Sequence, residues 1–183
     1  MSSRDSKVSA TEASGYSLSL DEARWWARVG VLAALALVLG YIETFIVLPV
    51  PVPGVKLGLG NIAVLVALAL LDERAAAVVA LLKVLAAGFI FGNPLTMAYS
   101  FVGTLLAFAV MAALMRIRGV SVVLVAMFGA VFHNIGQLVV AQVVLGTPLV
   151  WASAPLLVLA ACVTGALTGI ATRATLACLE GDF

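Results

Sequence analysis

Six polar side chains interrupt runs that are otherwise built of membrane-type apolar residues: Glu43, Lys83, His133, Asn134, Gln137 and Gln142. Polar groups inside such runs are costly and face a bundle interior or a wet cavity, so each is a candidate site. His133 and Gln137 are four residues apart and share one helical face. A carboxylate, an ammonium, an imidazole and amides form a recognition set: they hydrogen-bond and neutralise charge on a small molecule. Reactive chemistry finds less support. One histidine cannot supply bis-His haem ligation, and no Cys/His cluster has zinc-type spacing. No Ser or Cys is paired with the histidine as a nucleophile, and there is no Walker-type phosphate loop. The expectation is a non-enzyme with no catalytic residue, no metal and no cofactor, which does not itself use ATP.

Each candidate also has a structural reading. Lys83 serves either as the ion-pair partner of Glu43, holding two spans together, or as a cation lining a substrate site. His133, Asn134 and Gln137 serve either as ligand-binding groups or as interhelical hydrogen-bond glue worth about 1 kcal/mol per bond. Gln142 and Thr164 read as structural.

The elements that position these groups are hydrophobic helices. With 64% hydrophobic residues, 10% charged residues and a mean hydropathy of +1.21, the chain reads as a polytopic helical membrane protein. The apolar runs are continuous rather than alternating, which excludes an outer-membrane barrel. A net charge of +1 carries no nucleic-acid signal. Residues 1–18 are Ser-rich, lack a signal-peptide core and are expected to form a disordered cytoplasmic tail. Residues 19–28 read as an interfacial helix start: Ser19-Leu-Asp-Glu22 has capping-box form, and Trp25 and Trp26 sit among Arg24 and Arg28. Residues 29–175 form the membrane domain, with six spans expected near 29–48, 57–71, 75–91, 95–115, 120–145 and 149–171. Residues 176–183 form a short cytoplasmic tail. Cys162 and Cys178 lie about four turns apart and cannot bridge within one helix.

The stretch around which the rest is organised is Pro49 to Asn61, PVPVPGVKLGLGN. Alternate prolines and glycines at 54, 58 and 60 preclude an ordinary helix, and irregular backbone beside a bilayer must lie in water, in headgroups or against protein. The following run, Ile62 to Leu71, is short of the roughly 20 residues a span needs. The second helix is therefore expected to borrow from Lys56 to Asn61, although a re-entrant pair formed with the third run stays open. Gly/Pro-interrupted short segments point to binding sites in transporters.

Basic residues set the orientation. With the N-terminus inside, Arg4, Lys7, Arg24, Arg28, Arg74, Arg116, Arg118 and Arg173 are cytoplasmic, against Lys56 alone outside. The chain is thus an N-in/C-in, multi-pass protein of the cell membrane. Small residues Gly30-x-x-x-Ala34 and Ala36-x-x-x-Gly40 offer a face for close approach of a partner helix.

The runs GYIETFIVLPVPVPGVKLGLGNI, FGNPLTMAYSFVGTLLA and HNIGQLVVAQVVLGTP together resemble the Gx transporter family, often labelled heptaprenyl diphosphate synthase component I. That family is similar to the substrate-binding S components of energy-coupling factor (ECF) transporters. The resemblance implies an all-α, six-helix S-component-like bundle that captures a vitamin-like or precursor small molecule from outside. It also implies docking on a transmembrane T component driven by two ATPases. In that fold the loop after the first span acts as a lid, and 49–60 occupies the matching place. The first span is similar to the Ala-x-x-x-Ala docking motif of S components, which makes Gly30, Ala34, Ala36 and Gly40 the docking candidates. The candidate substrate-binding set is Glu43, Lys56, Asn61, Lys83, Asn93, His133, Asn134 and Gln137. Small-molecule substrate and membrane lipid are the other expected partners.

The synthase label meets a chemical objection. Prenyl diphosphate synthases hold Mg2+ and diphosphate through paired Asp-rich motifs, and this chain has only Asp72-Glu73 adjacent at a helix end. The alternatives are therefore a noncatalytic accessory of isoprenoid or quinone synthesis and a structural subunit of a membrane redox complex.

Overall fold

The computed structural model describes residues 19–46, 58–90 and 93–180, and every regular element among them is helical. Helix α1 spans Leu20–Glu43, α2 Asn61–Leu70, α3 Glu73–Ile90, α4 Pro94–Met115, α5 Val122–Leu145 and α6 Ala154–Glu180, with a 3-10 segment, Pro148–Ser153, leading into α6. The N-terminal tail, Lys56 and residues 47–57 of the Pro/Gly stretch lie outside the described residues.

Helix starts follow the sequence signals. Ser19 Oγ accepts from the Glu22 backbone while the Glu22 carboxylate accepts from the Ser19 backbone, the reciprocal pair of a capping box. Asp72 accepts from the Ala75 backbone at 2.7 Å, satisfying a first-turn donor of α3. Asn93 and Thr96 form a second capping box at α4, with Pro94 at the first helical position.

Helix α2 is the hub. It packs against every other helix, and seven of its ten residues are buried. The longer helices form an open ring around it in the order α1, α3, α4, α5, α6, and no contact closes the seam between α1 and α6 among the described residues. At 1.5 Å per residue α2 is about 15 Å long, half a hydrocarbon core.

Among the described residues, four stretches are long and apolar enough to cross a membrane: Leu20–Glu43, Pro94–Met115, Val122–Leu145 and Pro148–Cys178. The protein is thus a multi-pass membrane protein whose sequence suggests six spans and whose structure supplies four by length and composition. The difference lies in α2, which begins only at Asn61 after the turn through Gly58 to Gly60, and in α3, which carries Glu73, Arg74 and Lys83.

Two residue pairs gather one end of the bundle. Trp25 Nε1 donates to Asp72 Oδ2 at 3.0 Å, and Arg116 grips Glu73 bidentately at 2.8 and 2.6 Å. The start of α1, the α2–α3 junction and the end of α4 therefore share a level. The ring contact of Trp25 with Trp26, centroids 4.8 Å apart, suits the headgroup depth there.

The small-residue face of α1 needs correction. Ala36 is fully buried, and its carbonyl oxygen would lie 2.9 Å from a Cβ on Gly60, so it packs inward against the turn before α2. Gly30 and Ala34 are exposed, and a Cβ on either Gly30 or Gly40 would meet open space. Helical geometry explains the split, since 30 and 34 project from nearly the opposite side of the helix to 36.

Candidate substrate-binding site

Because α2 begins about half-way across the bundle, its first turn delivers polar backbone and Asn61 to mid-depth. Gly58 adopts φ +86°, a left-handed conformation natural to glycine, and the turn is held by Asn61 N–H to Gly58 O at 2.8 Å and Ile62 N–H to Leu59 O at 3.0 Å. The Gly58 backbone N–H donates to the Glu43 carboxylate, which ties the end of α1 to the start of this turn. Gly60 is required by space: a Cβ there would fall 2.9 Å from Ala36 O and 3.1 Å from Lys83 Cδ.

Lys83 comes from α3, about 15 Å from its Glu73 end. Its Nζ donates to Asn61 Oδ1 at 2.6 Å and to Thr104 Oγ1 of α4 at 3.2 Å. Lys83 is 7% exposed and Thr104 3%, so the ammonium is withdrawn from lipid into this polar group. Asn61 Nδ2 is a buried donor with no partner among the described residues.

From the other side α5 supplies His133 and Gln137, which are 2% and 0% exposed. The Gln137 amide nitrogen lies 3.2 Å from His133 Nε2. With the amide as donor, Nε2 accepts and the neutral ring carries its proton on Nδ1. The ring is wedged between two glycines: a Cβ on Gly58 would come 3.1 Å from His133 Cδ2, and one on Gly103 3.0 Å from Cε1. The latter reflects a close crossing of α4 and α5, where a Cβ on Gly136 would lie 2.8 Å from Gly103 Cα.

The structure thus brings together Glu43, Asn61, Lys83, His133 and Gln137 around the α2 start. Asn134 turns away and donates to Leu157 O of α6 at 3.0 Å, which gives it the glue role. Asn93 is exposed, and its Oδ1 caps the start of α4. Lys56 lies outside the described residues. Gln142 accepts from Trp151 Nε1 at 2.6 Å, and Thr164 bonds back to Ala160 O at 2.9 Å, structural roles in both cases. Thr104, Gly58 and Gly103 are members the sequence reading missed. The visible clue was the pair Gly103-Thr104 in mid-run, a gap beside a hydroxyl.

The arrangement offers a cation, an amide donor, an imidazole and a carboxylate converging from four helices. It suits non-covalent recognition of a small polar or anionic group.

Residues 32–175 match the family described as heptaprenyl diphosphate synthase component I. No curated protein and no solved structure matches the chain.

Proposed function

The chain belongs to the heptaprenyl diphosphate synthase component I family, and we propose that it is a substrate-binding membrane subunit of an ECF-type uptake transporter. One observation carries the reading: Lys83, Asn61, Thr104, His133 and Gln137 are buried together at the start of a helix that begins inside the bundle. A half-helix after a Gly/Pro segment is how transporters place polar groups at mid-membrane. The bound compound is a vitamin-like or precursor molecule with a carboxylate or other anionic group for Lys83. The subunit sits in the cell membrane, performs no chemistry of its own, and passes its ligand inward when docked on a T component with two ATPases.

The docking surface in this reading is the exposed Gly30/Ala34 side of α1, a helix that among the described residues packs on α2 and α3. Replacing Gly30 or Ala34 with Leu should abolish copurification of the T component while leaving the melting temperature of the isolated subunit unchanged. Full retention of the partner by both variants counts against this face.

The family description favours a second reading, a noncatalytic partner of a soluble prenyl synthase. In that reading the chain would hold no Mg2+ or diphosphate through Asp72 and Glu73, which are committed to Trp25 and Ala75 and to Arg116. Native mass spectrometry of the purified protein separates the two. A retained small molecule, with T component and ATPases in the pull-down, supports uptake; an empty protein carrying a soluble prenyl synthase overturns it.

A further inference from the structure

An apolar recess of about 140 Å³ opens between α3 and α4, on the outer side of Thr104. Ala77 and Leu81 form one wall, Phe101, Leu105 and Phe108 the other, and Thr104 lies on the floor. Ala77, Leu81, Phe101 and Leu105 are exposed on the outer surface of the bundle. In a membrane this surface faces hydrocarbon. Water gains nothing in a recess whose lining is nearly all apolar, and an empty one forfeits the dispersion contacts of its walls. An acyl chain is the shape and chemistry that would fill it.

Position selects the occupant. Along α3 the recess starts about 6 Å from Glu73, and along α4 it reaches Thr104 about 18 Å from Arg116. It therefore runs from the end of the bundle marked by Trp25, Asp72 and the Glu73–Arg116 pair toward mid-membrane. At that end the carboxylates are engaged, Asp72 by Trp25 and Ala75, Glu73 by Arg116. Arg74, one turn before Ala77, and Arg118, just past α4, are exposed, and no ion pair is recorded for either among the described residues. A surplus of exposed guanidinium beside an apolar slot complements a phosphate head with an acyl chain.

We propose that the α3–α4 recess is a binding site for one anionic phospholipid of the Arg-bearing leaflet, its phosphate on Arg74 and Arg118 and one acyl chain along Leu81 and Leu105 to Thr104. This assignment is independent of the uptake reading.

The test uses the full chain in nanodiscs of equimolar phosphatidylglycerol and phosphatidylcholine, released into native mass spectrometry. The wild type should retain one phosphatidylglycerol in preference to phosphatidylcholine. Arg74→Gln should lower that retention roughly fivefold, the worth of one basic residue near a membrane surface. Ala77→Trp should abolish it by filling the slot. Leu105→Trp fills it from the opposite wall should Ala77→Trp fail to give a cooperative melt. Equal retention of both lipids overturns the proposal, as does phosphatidylglycerol retention unchanged in a folded Trp variant. Displacement of the lipid by equimolar farnesyl phosphate would hand the slot to an isoprenoid and overturn the phospholipid assignment.

Discussion

A lysine ammonium at mid-membrane must be held by polar partners, because the bilayer offers none. Lys83 meets Asn61 and Thr104, two side chains that would themselves be stranded without it. Replacing Lys83 with Met removes a buried cation and loses hydrogen bonds worth about 1 kcal/mol each, opposing changes that leave apo stability within about 2 kcal/mol. The ligand response behaves differently, since stabilisation by RT ln(1 + [L]/Kd) disappears with the contact that creates it. A thermal-shift double-mutant cycle on Lys83→Met and Glu43→Gln, run with and without bound compound, should show weak coupling in the apo protein and lost ligand response. Strong apo coupling with the ligand response intact would make Lys83 a structural ion-pair partner. At this scale the sequence was legible wherever a group is rare in lipid: Glu43, Lys83, His133 and Gln137 stand out of apolar runs. Thr104 did not, because membrane threonines commonly satisfy themselves on the preceding turn, as Thr164, Thr168, Thr172 and Thr175 do here. Gly-Asn-Pro spells a helix cap, the role that Asn93 Oδ1 takes at the start of α4.

Helices deliver these groups only if they approach closely, and small residues decide where. The sequence reading looked for that property in α1, yet the tight crossings lie in α4, α5 and α6. A Cβ on Gly136 would fall 2.8 Å from Gly103 Cα, and one on Gly165 or Gly169 2.6 Å from the α5 backbone. Spacing alone does not tell which side of a helix points inward, which is why Ala36 and Gly30 received one role and hold two. Gly136→Ala should destabilise by about 1–3 kcal/mol, because backbone rather than a flexible side chain must yield. It should also weaken ligand binding by shifting His133, whereas Gly30→Ala, facing open space, should leave the melting temperature unchanged or slightly higher. Equal behaviour of the two alanines would refute the crossing geometry. Element junctions carry a pH signature as well. Hydrogen bonds from the Ala75 backbone and from Trp25 hold the Asp72 carboxyl below the ordinary carboxylate range. A group depressed in the folded state contributes stability above its unfolded pKa and loses it as pH falls through the folded one. Melting temperature should therefore drop more steeply below about pH 4 in the wild type than in Asp72→Asn. Parallel profiles would remove Asp72 from the α1–α3 joint.

For the whole molecule, the short hub α2 governs the architecture. The sequence shows a run too short to span, but the expected extension back over 58–60 does not form: the helix begins at Asn61, after a turn that places Gly58 at φ +86°. A helix that stops half-way has no bilayer level of its own, so orientation rests on the longer elements. Trp25–Asp72 and Glu73–Arg116 put the start of α1, the start of α3 and the end of α4 at one level. Arg24, Arg28, Arg74 and Arg118 cluster with them in the sequence, so the positive-inside rule predicts a cytoplasmic position for that level. The same prediction puts the 3-10 segment after α5, where Leu149 is 75% exposed, at the outer level. Cysteine labelling in intact cells measures this directly once Cys162 and Cys178 have been replaced by Ala. Leu149→Cys loses no recorded side-chain bond and should react with a membrane-impermeant maleimide added outside. Arg118→Cys, just beyond the Arg116–Glu73 pair, should react only after the membrane is permeabilised. Labelling of position 118 in sealed cells, with position 149 protected, would invert the protein and put the Arg-bearing end of the α3–α4 recess in the outer leaflet.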